Sequence, residues 1–382
     1  MLDEKPILIK TNLIMNITKI LIASVMAGTT AILTGCGSGS SKNGDTETDS
    51  TAVSEIVETT ASVELVKNET ENKVDVLFDG ELFTSYIYPD NMEKPVLFPI
   101  ITKAGNKVTR AYPLEKKEGE RVDHMHHVGH WLNYGDVNGL DFWNNSAERS
   151  AEDKDKYGSI RHKEIKNISS SGSEGTLEVT TEWQDNSGKV LLDETTGFVF
   201  HNEGDTRYFD RTTTLTAREE EVKFTDNKEG MIAIRVTRAM ELPSDQPAVF
   251  TDAEGNKTEV KALNNEGVSG NYLSSEGIEG GEVWGTRASW VTLYGEMEGS
   301  QTSITIFDHP NNVGYPTYWH ARGYGLFAAN PLGQKIFSDG KEELNFALAP
   351  GESVTFTYRV MIHSGNKQSK EQLDEIYNSF AR

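Results

Sequence analysis

The stretch DHMHHVGHW, residues 123–131, holds four of the chain's nine histidines and adds a carboxylate. Imidazoles titrate near neutrality, so they move protons, orient hydroxyls or bind metals. Three readings are therefore open: a metal centre, an acid–base site for a sugar ring, or a rim of hydrogen-bonded histidines. Taken as a strand, the segment puts His124 and His126 on one face and Asp123, Met125 and His127 on the other. His124 and His126 are then the candidate pair for a divalent metal, completed by His127 or His309 and a carboxylate. A lone surface histidine is usually a rim residue, but four together carry a desolvation cost that a function would explain.

Residues 134–143, YGDVNGLDFW, contribute Asp136, Asn138, Asp141 and Trp143. Carboxylates and amides bond vicinal hydroxyls while an aromatic face covers the C–H side of a sugar ring. The same residues also fit a glycine turn closed by Asx bonds and followed by a core tryptophan. Residues 308–331, DHPNNVGYPTYWHARGYGLFAANP, hold His309, Asn311, Trp319, His320 and Arg322; the prolines predict a loop crossing a sheet end. There the aromatics either meet substrate or cap the core. Glu229 precedes an apolar strand, and Arg287 lies in EVWGTRASW. The candidate catalytic residues are His124, His126, His127, His309, His320 and Glu229. Candidate substrate contacts are Asp136, Asn138, Asp141, Trp143, Arg287, Asn311, Trp319 and Arg322. All require that residues 123–131 and 308–322 line one cleft.

The elements that must position these groups are strands. KVDVLF, TLEVTTEWQ, MIAIRV, TSITIFDH and SVTFTYRVMIH alternate apolar and polar residues, and turns such as DNSGK, HNEGD and AEGNK join them. The pattern predicts an all-β chain, a large antiparallel sandwich without repeats. One helix is expected at the C-terminus, capped by Ser369, with Leu373, Ile376, Tyr377 and Phe380 on one face.

The N-terminal region reads as an export signal. From Met15, the expected start, an apolar run follows Lys19 and ends in Leu33-Thr34-Gly35-Cys36, a lipobox. Residues 1–36 are assigned to the signal and lipobox, 37–72 to a flexible acidic tether, and 73–382 to a single β-sandwich domain. Cys36 is the only cysteine, so internal disulfides and thiolate metal sites are excluded. The expected setting is the cell envelope, periplasmic or at the outer membrane, with membrane contact through the lipid on Cys36. A formal charge of −22 argues against nucleic acid as a partner.

The segments at 123–143, 158–164 (GSIRHKE), 228–236 (KEGMIAIRV), 284–295 (WGTRASWVTLYG) and 308–331 together resemble a bacterial family common in Bacteroidetes and planctomycetes, often labelled "methane oxygenase PmoA". Its DHPHHRGLW pattern is matched at Asp123, His124, His126, His127, Gly129 and Trp131. The chain departs from it at Met125, Val128 and His130, losing an arginine that could hold a carboxylate or hydroxyls. No segment after Cys36 is apolar enough to span a membrane as a helix, which excludes the multi-spanning oxygenase that the label denotes. The resemblance implies instead a galactose mutarotase-like sandwich associated with sugar catabolism, in which a histidine acts as acid and a carboxylate as base. The expected function is acid–base chemistry on a sugar or glycoside: epimerisation, elimination or hydrolysis. The alternatives are a non-catalytic glycan-binding lipoprotein and a histidine-ligated metalloprotein.

Overall fold

The computed structural model describes residues 61–382. The signal segment, Cys36 and most of the expected tether lie outside the described residues. Two antiparallel eight-stranded sheets face each other. The first runs, in spatial order, Val63–Asn68, Lys73–Phe78, Glu81–Ile87, Val96–Ile100, His130–Tyr134, Gly230–Arg235, Leu326–Asn330 and Tyr318–Ala321. The second runs Asn271–Ser274, Trp290–Met297, Ser300–Asp308, Ser353–Ser364, Thr206–Ala217, Val190–Glu203, Glu174–Gln184 and Ser159–Ser171. Period-two patterning drives both: in Lys73–Phe78, Val74, Val76 and Phe78 are buried while the intervening residues are not. Leu132, Ile232, Ile234 and Phe327 of the first sheet meet Phe198, Phe209, Ile306 and Phe356 of the second in one apolar core. The all-β sandwich is as expected.

The C-terminal helix, Lys370–Phe380, also forms as expected. The Ser369 hydroxyl accepts from Gln372 N while Ser369 N donates to the Gln372 side chain, a reciprocal capping box. Leu373, Ile376, Tyr377 and Phe380 cover Trp290, Phe307 and Met361 on the outer side of the second sheet. A one-turn helix at Gln334–Phe337 was not anticipated. Among the described residues no helix is long and apolar enough to cross a membrane.

Two expectations are corrected. Val63–Asn68 falls inside the expected tether yet pairs with Lys73–Phe78, burying Val63 and Leu65; three apolar residues in polar surroundings gave too weak a signal. Residues 308–331 are not one loop, because Tyr318–Ala321 and Leu326–Asn330 pair within the first sheet. Pro310, Pro316 and Pro331 lie outside both strands, where no ladder donor is lost.

Candidate active site

Across the last four strands of the first sheet, ending at its edge strand, Trp131, Ala233, Ala328 and His320 stand opposite one another. Their neighbours Leu132, Ile232, Phe327 and Trp319 point into the core, so the row faces outward. Two fully buried alanines thus lie between an indole and an imidazole.

Glu229 leads into Gly230–Arg235, and a Cβ on Gly135 would stand 2.8 Å from the Glu229 Cβ; glycine lets the two chains approach. Glu229 Oε2 lies 3.7 Å from His320 Nδ1, and Oε1 contacts Lys228 Nζ. His320 is buried, and its Nδ1 has no hydrogen-bond partner. Burial, reinforced by the charges of Lys228 and Arg322, pushes this imidazole down to about 3, so it is neutral at ordinary pH.

Residues 123–129 form a turn rather than the expected strand. His127 N donates to His124 O at 2.9 Å and His124 adopts φ +43°. Gly129 sits at φ +57°, where a Cβ would come 2.3 Å from Leu97 O. Two buried arginines hold the turn. Arg110 donates to Asp123 Oδ1 and to the carbonyls of Asp123, His124 and His127. Arg235 donates to Asp123 Oδ1 at 2.6 Å and meets His127 Nδ1 at 3.0 Å. Burial pushes the Asp123 carboxyl up, but His124, Arg235 and Arg110 together outweigh it and hold it well below the usual range.

Turning the chain abolishes the alternation, so His124, His126 and His127 cluster instead of dividing between two faces. Tyr324, His124, His127 and Trp131 stack in that order, with ring centres 5.2, 4.8 and 5.4 Å apart. His126 stands edge-on to His124 and His127. Rings stacked face to face do not aim their lone pairs at one point. Among the described residues no group of three or more His, Cys, Asp or Glu is placed to hold a metal ion, so the expected pair His124 and His126 is not completed. Burial drives His126 to about 2 and His127 well below its ordinary value. His126 lines a cleft with Ile87, Met92, Lys94, Leu114 and Val128. Lys94, lowered to about 7 by burial, donates to the His126 carbonyl at 2.8 Å.

Tyr324 links the two halves. His124 stacks on it, and the guanidiniums of Arg235 and Arg322 lie 4.9 and 5.8 Å from its ring centre. The structure therefore brings together His124, His126, His127, Glu229, His320 and Arg322. It does not bring His309 or Asn311 to them: His309 packs edge-on against Phe380 of the C-terminal helix, and exposed Asn311 donates its N–H to His309 Nδ1. Asp136 accepts from Gly139 N and Asp141 from Trp143 N and Asn144 N, so these two close turns, while Asn138 accepts from Lys223 N and donates to Glu221 O, tying its turn to a distant segment. Trp143 is buried against Trp131 and His127. Trp319 lies in the core, donating to Ala288 O, because it alternates with His320. Arg287 is committed to the carbonyls of Gly314 and Pro316 and to Glu342. His130 faces the core against Phe209.

Arg110, Arg235, Tyr324 and Lys94 were absent from the expected set. For Arg235 the signal existed, since MIAIR places Ala233 and Arg235 opposite Ile232 and Ile234. Arg110 carried none, because nothing local marks a residue that reaches a turn a dozen positions away.

An antiparallel two-sheet sandwich with a His/carboxylate centre on the outer face of one sheet is the class of protein that this fold and site define. The chain belongs to the family of unknown function DUF6807, whose model matches residues 73–378. The methane-oxygenase label is not supported by the family's name or by those of the similar structures below. Among curated proteins none matches the chain in sequence. Among solved structures it is similar to a GH36 α-galactosidase from Geobacillus stearothermophilus, at 10% identity over 80% of this chain and 41% of that one, with TM-score 0.36. It is also similar to a putative aldose 1-epimerase from Escherichia coli K12, at 10% identity over 79% and 99%, TM-score 0.32. A galactose mutarotase-like protein from Lactobacillus casei matches at 12% identity over 79% and 100%, TM-score 0.30. The chain spans about two fifths of the α-galactosidase. At these scores the likeness says nothing of activity, which has to be read from the site's own residues.

Proposed function

We propose that the protein acts on a carbohydrate, with Glu229 and His320 as the proton-transfer pair and epimerisation, elimination or hydrolysis as the reaction class. The observation that carries this is the unpartnered Nδ1 of a buried imidazole 3.7 Å from a carboxylate oxygen. A buried polar atom left unsatisfied costs about 1–3 kcal/mol. A substrate hydroxyl set against both groups would relieve that cost. Glu229 is the proton acceptor, and His320, held neutral, gives or receives a proton at the adjoining oxygen. His124, 3.4 Å from Asp123 and partly exposed, is a second imidazole at the same site. Turnover is best sought by NMR across a panel of sugars and glycosides. Glu229→Gln and His320→Asn should each cost on the order of 10²-fold or more in rate with little change in melting temperature, while His309→Ala should behave as wild type. An active Glu229→Gln protein, or a His309→Ala protein as impaired as the other two, defeats the assignment.

The same reading sets the protein at the cell envelope through lipid on Cys36, supported by the apolar run ending in Leu33-Thr34-Gly35-Cys36. Incorporation of labelled palmitate, lost in Cys36→Ser, is the check.

A further inference from the structure

The chain carries 59 acidic residues against 37 Lys and Arg, yet four cations gather at the site. Arg110, Arg235, Lys228 and Arg322 gather about Asp123 and Glu229, with Glu120 behind Arg110 and Glu241 behind Arg235, and the buried histidines beside them are neutral. Arg110 and Arg235 share Asp123, and Lys228 meets Glu229. Arg322 has no carboxylate in ion-pair reach among the described residues. Its guanidinium lies between two aromatic rings, 5.5 Å from the centre of Trp284 and 5.8 Å from that of Tyr324.

Trp284 is 39% exposed, whereas the other five tryptophans are at most 1% exposed. This exposure is not slackness. Gly285 N donates to Trp319 O at 2.8 Å, Trp319 N donates to Thr286 O at 3.0 Å, and Val283 is fully buried. The indole is thus carried on backbone laced to the strand that bears His320. Phe337 spans the gap, its ring centre 5.8 Å from Trp284 and 6.2 Å from His320. A rigid exposed aromatic, an uncommitted guanidinium and the proton-transfer pair therefore adjoin one another.

We infer that Trp284 and Arg322 form a subsite for the carboxylate-bearing ring of an acidic sugar, so that the substrate class is a uronate or a uronate-containing glycoside. The inference rests on the carbohydrate reading above. The indole covers the C–H face of the ring while the planar guanidinium takes the carboxylate through two parallel hydrogen bonds. A carboxylate on Arg322 also cancels one of the charges that hold His320 down, moving that imidazole toward the range in which it exchanges protons.

Acrylamide, a neutral quencher, reaches Trp284 and not the five buried indoles, so quenching of tryptophan fluorescence reads this residue alone. The probes are galacturonate, glucuronate, mannuronate and guluronate as methyl glycosides and disaccharides, each beside its neutral hexose counterpart and its methyl ester. At least one acid should protect Trp284, with its neutral and esterified forms binding about tenfold more weakly or worse, as loss of one charge-assisted contact implies. Arg322→Gln should lose the preference for the acid while keeping its melting temperature. Equal protection by acid and ester, an acid preference that survives in Arg322→Gln, or no protection by any acid overturns the subsite. Glu229→Gln should keep full protection. Should it also retain turnover, the role assigned to Glu229 falls and the subsite stands.

Discussion

Asp123 and Glu229 are both carboxylates of the same site, but their surroundings give them opposite duties. One Asp123 oxygen is shared by Arg110 and Arg235, two side chains at most 1% exposed. Removing that charge takes from two buried guanidiniums the carboxylate they share, so Asp123→Asn should destabilise the fold by about 3 kcal/mol, seen as a lower denaturant midpoint. Glu229, with its open gap to His320, should show the converse: lost turnover at nearly unchanged stability. The residue types pointed to Glu229 and to His320. They also pointed to His309, Asn311, Asp136, Asn138, Asp141 and Trp319, which are spent on turns, the core or the far sheet. A side chain's chemistry is written in its type, but whether its polar atoms are free is settled by whichever backbone donor happens to lie opposite.

At the scale of elements, regular periodicity was readable and irregularity was not. The Lys370–Phe380 helix was foreseeable from its spacing and cap, and its packing yields a direct expectation. Leu373 is fully buried against the second sheet, so Leu373→Ala should cost about 2–4 kcal/mol, and Ser369→Ala about 1 kcal/mol, both measurable by chemical denaturation. The turn at 123–129 was misread as a strand because HMHH has the alternation of one. What bends it is Gly129 at positive φ beneath Leu97 O and the four carbonyl and carboxylate bonds from Arg110. Both partners, Leu97 and Arg110, lie outside the stretch. Had the segment been extended, the imidazoles would point to opposite faces; the turn is what gathers them at the sheet surface.

For the molecule as a whole, buried titratable groups set how stability depends on pH. His126, His320 and His162 are lowered by burial to about 2, about 3 and about 4, below the ordinary 6.5. Below pH 6.5 the unfolded chain therefore binds more protons than the folded one. Their contribution is fully present above pH 6.5 and is lost progressively as pH falls toward 4 and beyond. Asp308 runs the other way. Burial outweighs the bonds from Asn312 and Thr317 and raises it from 3.8 to about 7. Its contribution is present below pH 3.8 and lost as pH rises to about 7. Urea titrations at stepped pH should show a steep loss on acidification from 6.5 to 4. Asp308→Asn should remove a part of the slope that opposes it between 4 and 7, whereas His309→Ala, next along the chain, should not.

The sequence by itself determined the strand-rich sandwich, the capped C-terminal helix and the types of group available for chemistry, because period, caps and residue chemistry are local properties of a chain. The tertiary structure alone decided which of those groups meet. His320 and Glu229 lie 91 positions apart in the chain and become neighbours only when Tyr318–Ala321 and Gly230–Arg235 flank Leu326–Asn330. His309, eleven positions before His320, ends on the other sheet because Ser300–Asp308 pairs there. Proximity along the chain is a poor guide to proximity in a sandwich, where strand pairing sends successive segments to opposite layers and gathers distant ones on one face.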